Sequence, residues 1–463
     1  MINVQDVHIV IHVKDKGRVL TVSFFYSLIY LSNHNMYRND YLEVFKMDTY
    51  KITGGEKILG EIEVQGSKNS ALPIIASTVL INGVSIIENV PNIRDTLIMQ
   101  DILRKLGCKV EYEDNVLTVD STGCDKDEIS PELMREMRSS IILMGAILAR
   151  HGRVILSYPG GCEIGSRPID LHLEGLKKLG AKIREKHGYI VCEAKKLIGT
   201  EINLDFPSVG ATENIMLAAT LAEGTTIIRN AAREPEIIEL QTFLNKSGAI
   251  IIGAGTSTIK IIGVKELEDV KYRVKADRIV AGTYLCAAAM TKGEIVLKNV
   301  VIENILPIIH KLQETNCEVK EISNNSIYLK APEKLKSVNT IKTMPYPGFP
   351  TDMQSQMVTL LSIADGTSIV VENIFENRYK YISELTKMGA EITIEGKIAI
   401  VKGVKKLTGA MVEAKELRGG ASLVLAGLVA EGYTSVSGVK YIERGYEEFV
   451  ETLNLLGAKI AKV

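Results

Sequence analysis

The chain has 463 residues, with 55 lysines and arginines against 56 aspartates and glutamates, so its formal net charge is −1. A balanced charge provides no global field to attract nucleic acid or an acidic membrane surface, so any anion-binding site has to be local. The six cysteines form no metal-ligand pair such as CxxC, which favours reduced thiols in a cytoplasmic protein over a disulfide framework.

The first segment, residues 1–46, has a composition unlike the rest of the chain. Its run VLTVSFFYSLIYL, Val19 to Leu31, is similar to the apolar core of a signal peptide, but no small-residue cleavage site follows it. The run is also too short to span a bilayer. We interpret residues 1–46 as an extension outside the fold, with Met47 opening the functional chain, and we expect no membrane association.

The remaining sequence repeats one pattern six times. In each copy an apolar, helix-like run reaches a glycine and continues into a β-rich segment, and these glycines are Gly83, Gly152, Gly224, Gly293, Gly366 and Gly432. A second marker closes a charged, amphipathic helix, at Gly107, Gly180, Gly248, Asn316, Gly389 and Gly457. The unit of about 70 residues predicts the order strand, helix, strand, helix, strand, strand.

The two helices of a unit differ in kind. The first is apolar on nearly all sides, as in SSIILMGAILA and TENIMLAATLA, and a helix without a polar face has to be buried. The second, for example LHLEGLKKLG, has a polar face and should lie nearer solvent. We therefore predict an inside-out α/β protein, with buried helices inside and sheets outside. Three units form each of two domains, and the chain crosses between them near YRVKADR, residues 272–278.

Charged and polar residues collect where the buried helices begin, at Lys68, Asn69, Arg138, Ser208, Asp277, Arg278, Asp352 and Arg418. Helices that begin on one face pool unpaired N–H groups and positive dipole ends, which together make an anion site. Ser208, with Val209 and Gly210, offers hydroxyl and backbone donors suited to phosphate. A single residue of this kind is more often a helix cap or a surface charge, but recurrence at equivalent positions favours anion binding.

Arginine recurs near the start of the second helix in five of the six units, at Arg94, Arg167, Arg233, Arg378 and Arg444. Planar guanidinium groups suit carboxylate and phosphate oxygens. We assign Arg167, Arg378 and Arg444 to ligand contact and expect Arg94 and Arg233 to be structural or peripheral.

The second unit is the longest because of the insertion YPGGCEIGS. A glycine-rich insertion between a strand and a helix predicts a mobile lid. Cys162 lies in it, near arginines that would lower its thiol pKa, and is a candidate for proton transfer or nucleophilic attack. The alternative is a buried, inert cysteine, which fits poorly with its neighbours Gly160, Gly161 and Glu163.

Seven motifs together resemble the UDP-N-acetylglucosamine 1-carboxyvinyltransferase family of enolpyruvyl transferases: GSKNSALP, PGGCEIGSRPIDLH, FPSVGAT, NAAREPEI, FPTDMQ, FENR and IERGYE. The resemblance runs from about Tyr50 to the C-terminus. It implies a two-domain inside-out α/β barrel of six repeats, with residues 47–67 plus 277–463 in one domain and 68–276, which carries the Cys162 loop, in the other.

The activity that the resemblance implies is transfer of the enolpyruvyl group of phosphoenolpyruvate to the 3′-hydroxyl of UDP-N-acetylglucosamine, with release of phosphate. This reaction starts peptidoglycan precursor synthesis, and it involves no cofactor and no metal. We expect the two small-molecule substrates as partners and no nucleic acid.

The resemblance also implies roles for individual residues. Cys162 matches the family's loop cysteine, a candidate general acid at C3 of phosphoenolpyruvate and the target of the antibiotic fosfomycin, and Asp352 matches the carboxylate placed at the sugar 3′-hydroxyl. The phosphoenolpyruvate contacts match Lys68, Arg138, Arg167, Arg378 and Arg444. The other substrate contacts match Asn69, Asp170, Leu171, His172, Ser208, Val209, Gly210 and Arg418. On the sequence alone, His172 could equally be an ordinary residue at a helix start.

Two positions depart from the family pattern. Glu416 stands where the family commonly has aspartate two residues before Arg418, and Phe206 stands where some members have lysine before the phosphate loop. The first departure bears on how Arg418 is positioned, and the second on nucleotide binding.

Two rival functions remain open. The first is a shikimate-pathway enolpyruvyl transferase, against which the uridine segment and the PGGC loop argue. The second is a catalytically idle paralogue that binds a UDP-sugar as a regulator, against which the presence of Lys68, Cys162 and Asp352 argues.

Overall fold

The computed structural model describes residues 4–15, 18–29, 48–158, 160 and 169–463. The helices are α1 Lys68–Ser77, α2 Arg94–Lys105, α3 Pro131–Glu136, α4 Leu143–His151, α5 Asp170–Lys178, α6 Val209–Thr220, α7 Pro235–Lys246, α8 Arg278–Met290, α9 Leu306–Glu314, α10 Gln354–Leu361, α11 Ile382–Lys387, α12 Leu417–Val429, α13 Val439–Ile442 and α14 Phe449–Leu455. None of the helices in these ranges has both the length and the apolarity that crossing a membrane requires.

The strands are β1 Val4–Asp15, β2 Arg18–Ile29, β3 Tyr50–Thr53, β4 Leu59–Glu63, β5 Val84–Glu88, β6 Lys109–Glu113, β7 Val116–Asp120, β8 Arg153–Ser157, β9 Lys182–Lys186, β10 Tyr189–Glu193, β11 Glu201–Asn203, β12 Thr225–Arg229, β13 Ile250–Ile252, β14 Thr258–Ile262, β15 Val270–Arg273, β16 Glu294–Lys298, β17 Glu318–Ser323, β18 Ser326–Lys330, β19 Thr340–Lys342, β20 Thr367–Val371, β21 Glu391–Glu395, β22 Ile398–Lys402, β23 Met411–Glu413, β24 Tyr433–Ser437 and β25 Lys459–Lys462. Short 3-10 turns at Arg138–Ile142 and Thr351–Met353 lead into α4 and α10.

The chain divides into two compact units, Met1–Met47 and Asp48–Val463. In the first unit, β1 and β2 pair antiparallel along their whole length, with Val4 opposite Ile29. Composition did not predict this hairpin. That residues 1–46 are an extension outside the functional fold stays a prediction.

The sheets of Asp48–Val463 share one strand order. Five of the sheets described there have four strands, and the sheet β8-β10-β9 has three. In β11-β12-β14-β13, β11 precedes the buried helix α6 and pairs parallel with β12, which follows it, and β13 and β14 complete the sheet antiparallel. A parallel neighbour requires a crossover connection, and the buried helix provides it. The predicted α/β fold class and the order of elements in the unit are confirmed.

Two strands are exchanged between units. β4, the first strand of unit one, pairs with β16 of unit four, and β15, the first strand of unit four, pairs with β5 of unit one. In unit six, β3 from the start of the fold takes the place of the last strand, because β24 and β25 both pair with it. The segment 50–63 therefore completes sheets that the C-terminal units begin.

The buried helices have no polar face, as the sequence predicts. In α6 every residue from Ala211 to Thr220 is buried, and in α12 every residue from Leu417 to Leu428 is buried. The second helices bury one side only; α5 buries His172, Leu173, Gly175 and Leu176.

The buried apolar residues form two clusters. One contains residues between Ala71 and Val274, and the other contains Tyr50 to Val64 together with residues between Ala276 and Ile460. On this basis we propose the domain division 68–276 and 47–67 plus 277–463. The chain passes from one cluster to the other in two short segments, 65–70 and 275.

The second marker of each unit has a backbone reason to be glycine. Each marker lies two residues beyond the last residue of its helix, and φ is positive at Gly107, Gly180, Gly248, Asn316, Gly389 and Gly457. This left-handed conformation ends a helix and suits glycine, with asparagine as the next choice. Asn316, at φ 70°, shows that the one exception to glycine keeps the same conformation.

Candidate active site

The helices α1 and α8 begin beside one another because Asp277 serves both. Its Oδ1 accepts the N–H groups of Ile279 at 2.8 Å and Val280 at 3.0 Å, which caps α8. Its Oδ2 accepts the N–H of Lys68, the first residue of α1, at 3.0 Å. One buried carboxylate thus satisfies unpaired donors at two helix starts, one in each core cluster.

Lys68 and Arg444 share a second buried carboxylate, that of Asp95. Lys68 Nζ lies 2.9 Å from Asp95 Oδ2, and Arg444 Nε lies 2.8 Å from Asp95 Oδ1. The side chain of Asp95 has no exposed surface, while those of Lys68 and Arg444 keep 10% and 15%. The two cations are therefore paired on their inner side and reach solvent on the other.

The pKa of Lys68 is shifted below its usual value, mainly because the side chain is buried. The charges of Arg444 and Arg418 also lower it, while Asp95 acts in the opposite direction. For Asp95 itself, burial acts to raise the pKa, but Lys68 and Arg444 outweigh it and the pKa lies below its usual value. Asp95 is therefore ionised at neutral pH.

Asp352 and two arginines form a second cluster in which one carboxylate again pairs with two cationic side chains. Arg378 donates from Nη2 to Asp352 Oδ1 at 3.1 Å, and Arg418 donates from Nε and Nη2 to Oδ2 at 3.3 Å each. Both arginines are 2% exposed, whereas the Asp352 side chain is 28% exposed. The carboxylate is thus the accessible member of this cluster, and fixed guanidiniums lie behind it.

Glu416 positions Arg418 through the backbone. As the N-cap of α12, it accepts the N–H of Arg418 at 2.8 Å and that of Gly419. The longer side chain that departs from the family pattern therefore still caps the helix that presents Arg418. Phe206, the second departure, is 44% exposed and precedes the start of α6 by three residues.

His172 joins the starts of α5 and α6. The ring is 7% exposed, its Nδ1 lies 2.8 Å from Asn214 Nδ2, and a side chain at Gly210 would lie 3.0 Å from its Cε1. The pKa of His172 is lowered to about 4, first by burial and then by the charge of Arg138, while Asp170 acts in the opposite direction. His172 is therefore neutral at pH 7, and Arg138 is near enough to influence it.

The other predicted nucleotide residues lie at the starts of α1, α5 and α6. Ser208 caps α6 by accepting the N–H of Ala211 at 3.3 Å, and Ser208, Val209 and Gly210 are half-buried. Asp170 is exposed, and Leu171 and Asn69 are half-buried.

The predicted site residues fall into three groups. The structure brings together Lys68, Arg444, Asp352, Arg378 and Arg418: the charges of Arg444 and Arg418 act on Lys68, and that of Asp352 acts on Arg418 and Arg378. It places Arg138, His172 and Gly210 in a second group. Cys162 and Arg167 lie outside the described residues. Arg94, on the surface, pairs with Glu136 at 3.3 Å, and Arg233 is exposed.

Sequence analysis missed the partners of the cations. Asp95 directly follows one of the recurring arginines, and this place in the first turn of α2 is the sequence signal that marks it as a partner for the cations. It also missed the pair Arg278–Glu236, whose Nε–Oε1 distance is 3.0 Å, and the buried carboxyl of Glu213 beside Glu236. Burial raises the pKa of Glu213 well above its usual value, and Glu236 and Glu234 add to the shift.

The chain is similar in sequence to a known protein family and to curated relatives. Residues 52–453 match the family EPSP synthase (3-phosphoshikimate 1-carboxyvinyltransferase). UDP-N-acetylglucosamine 1-carboxyvinyltransferase 2 of Caldanaerobacter subterraneus subsp. tengcongensis is 56% identical over 417 residues, covering 90% of this chain and 100% of that protein. UDP-N-acetylglucosamine 1-carboxyvinyltransferase of Geobacter metallireducens is 50% identical over 417 residues, with the same coverage.

Solved structures show the same fold. The enolpyruvyl transferase NikO from Streptomyces tendae has a TM-score of 0.82 at 24% identity, covering 90% of this chain and 99% of that one. EPSP synthase from Acinetobacter baumannii has a TM-score of 0.70 at 19% identity, covering 90% of this chain and 100% of that one.

The family match over residues 52–453, on a fold of repeated units with buried helices, places the chain among the enolpyruvyl transferases, which are carboxyvinyltransferases. Within that class, the identity to curated relatives is decisive. The chain belongs to the UDP-N-acetylglucosamine 1-carboxyvinyltransferase family.

Proposed function

We propose that this enzyme transfers the enolpyruvyl group of phosphoenolpyruvate to the 3′-hydroxyl of UDP-N-acetylglucosamine and releases phosphate. The observation that carries the proposal is the carboxylate of Asp352, 28% exposed and held by Arg378 and Arg418. It puts a proton acceptor and donors for an anionic substrate in one place. Relatives named for this reaction that are 50% and 56% identical support the same substrates.

The proposed chemistry is addition followed by elimination. Cys162 gives a proton to C3 of phosphoenolpyruvate while the sugar 3′-oxygen bonds to C2 and passes its proton to Asp352. The Cys162 thiolate then takes a proton back from C3, the electrons of that C–H bond re-form the double bond, and the bond from C2 to the phosphate oxygen breaks, so phosphate departs with its electron pair. Lys68, Arg378, Arg418 and Arg444 stabilise the charge of the tetrahedral adduct.

In this proposal the nucleotide sugar lies against the start of α6 and the residues around His172, whereas Arg138 of the same group faces phosphoenolpyruvate. The start of α6, with Ser208, Val209 and Gly210, offers N–H groups and a positive dipole end to the diphosphate. Asp170, Leu171 and His172 lie against the uridine, and Asn69 contacts the sugar and phosphates. Arg138 and Arg167 complete the phosphoenolpyruvate contacts.

We place the reaction in the cytoplasm, as the first step of peptidoglycan precursor synthesis that cell division requires. The five cysteines among the described residues are all free and buried, which suits a reducing compartment.

A phosphate-release assay tests the function. With phosphoenolpyruvate and UDP-N-acetylglucosamine we expect steady turnover, and with shikimate 3-phosphate in place of the nucleotide sugar we expect none. Release with shikimate 3-phosphate alone would identify the shikimate-pathway alternative. Binding of UDP-N-acetylglucosamine without release from either acceptor would identify the idle paralogue.

The role of Cys162 has its own test. Cys162→Asp keeps an acidic group but removes the thiol, so we expect turnover to survive while fosfomycin no longer inactivates the enzyme. Time-dependent inactivation and mass spectrometry of the intact protein measure this, with the unmodified chain as control. A covalent fosfomycin adduct on the variant would contradict the assignment.

A further inference from the structure

Asp95 holds two of the proposed substrate-binding cations and has no exposed surface of its own. Its Oδ2 lies 2.9 Å from Lys68 Nζ and accepts Arg444 Nη2 at 3.3 Å, and its Oδ1 accepts Arg444 Nε at 2.8 Å. Both carboxylate oxygens are thus occupied by side chains that also reach solvent. A group without solvent contact cannot touch a substrate directly, so its effect passes through Lys68 and Arg444.

The cluster joins the two cores of the fold. Asp95 lies in the first turn of α2, which packs in the cluster of residues 71–274, and Arg444 follows α13, whose Ile442 packs in the other. Two further hydrogen bonds hold the start of α2 against the segment after α13. The backbone N–H of Arg94 donates to the carbonyl oxygen of Glu443 at 3.1 Å, and that of Asn92 donates to the Glu447 side chain at 3.1 Å.

Asp95 offsets the repulsion between Lys68 and the arginines around it. Lys68 is affected by one carboxylate, Asp95, and by two guanidiniums, Arg444 and Arg418. Without the carboxylate, three buried or half-buried cations would repel one another at short range. The separation of Lys68 and Arg444, and the protonation of Lys68, therefore both depend on Asp95.

We propose that Asp95 is a positioning residue that sets Lys68 and Arg444 at the spacing at which both donate to one anionic group of phosphoenolpyruvate. The inference rests on the proposed function, and it adds a residue to which neither the motifs nor the relatives' names give a role. It explains why a carboxylate lies inside a site for anions: it orients two flexible cations before substrate arrives.

The experiment compares Asp95→Asn with the unmodified enzyme in steady-state phosphate release from pH 6 to 10. We expect KM for phosphoenolpyruvate to rise about tenfold or more, because a buried charge pair loses one partner, and KM for UDP-N-acetylglucosamine to change little. We also expect the alkaline fall of kcat/KM for phosphoenolpyruvate to begin at lower pH, because Lys68 loses the carboxylate that opposes the lowering of its pKa. A purely structural defect would reduce the active fraction without moving that pH midpoint.

Asp101→Asn is the matched control, since Asp101 lies on the same helix, is 59% exposed and pairs with Arg104 at 2.8 Å. We expect it to behave as the unmodified enzyme. Equal KM values and pH midpoints for Asp95→Asn and Asp101→Asn would overturn the inference. If the unmodified chain releases no phosphate, the proposed function fails instead, so the two failures are distinct.

A second variant covers failure of Asp95→Asn to fold, which circular dichroism would reveal. Asp95→Glu keeps the charge and moves both oxygens outward by one methylene. We expect it to raise KM for phosphoenolpyruvate while keeping the alkaline pH midpoint. An unchanged KM would overturn the inference, because spacing would then be irrelevant.

Discussion

At the scale of the residue, carboxylates govern how this enzyme presents its cations. Asp277 accepts the N–H of Lys68 and Glu416 caps the helix whose first turn presents Arg418, whereas Asp95 and Asp352 pair with cationic side chains. A buried guanidinium without a counter-charge is costly, so each cation is held by a group that also orients it.

Asp352→Asn tests the accessible carboxylate. The amide cannot accept the 3′-hydroxyl proton, so we expect kcat to fall by a factor on the order of 10² or more. We expect KM for phosphoenolpyruvate to stay level or fall, because Arg378 and Arg418 lose a competing anion. Steady-state phosphate release measures both, and Asp365→Asn, at an exposed ion pair with Lys334, is the control. A normal kcat would contradict the role of base.

His172 predicts a pH dependence of stability. Its pKa in the folded protein is about 4, below its usual 6.5, so between these values the unfolded chain binds a proton that the folded chain excludes. Stability is therefore fully present above pH 6.5 and is lost as pH falls toward 4, by about 2 kcal/mol at pH 5.

Urea unfolding at pH 7 and pH 5 measures that loss. We expect His172→Gln to lose less stability than the unmodified chain over this interval, and His310→Gln, at an exposed position of α9, to lose as much. If His172→Gln and the unmodified chain lose the same amount, the histidine is not the source.

At the scale of the element, the left-handed residue after each second helix is a conformational requirement. Asn316 occupies φ 70° at the position where the other five units have glycine. Asparagine tolerates this region better than alanine does, because its short polar side chain bonds locally.

Two substitutions at this position give opposite results. Asn316→Ala should lower the free energy of unfolding by about 1 kcal/mol, whereas Asn316→Gly should leave it unchanged or raise it slightly. Urea unfolding followed by circular dichroism compares the two. Equal stability of the alanine and glycine variants would show that the helix end relaxes to another conformation.

The sequence pattern predicted the helices and strands but not the long-range contacts between their side chains. The repeat predicted buried helices such as α6 because every face is apolar, and it predicted that helix starts carry Lys68, Asp352 and Arg418. It did not predict that Asp95 would meet Lys68 and Arg444. That contact joins positions 349 residues apart and depends on how two cores pack, which periodicity within one unit does not report.

At the scale of the whole molecule, the exchange of strands decides which fragments can fold. Residues 68–276 contain every strand of three sheets and one complete apolar cluster. Residues 277–463 lack β3 and β4, which complete two of their sheets.

We expect residues 68–276, expressed alone, to unfold cooperatively on heating, and residues 277–463 to do so only when residues 47–67 are fused to them. Circular dichroism and calorimetry measure both transitions. A folded 277–463 fragment, or a 68–276 fragment without a transition, would contradict the proposed domain division.

The two segments that join the cores lie side by side. Ser67 N–H donates to Lys275 O at 2.8 Å, Asp277 N–H donates to Gln65 O at 2.9 Å, and Lys68 and Asp277 follow directly in the chain. The chain connects the two cores through these two paired segments, so we expect the two halves to open and close by rotating about them. Because Lys68, a proposed substrate contact, directly follows one of these segments, such a rotation would change its position relative to the other half, and small-angle scattering with and without nucleotide sugar would measure its amplitude.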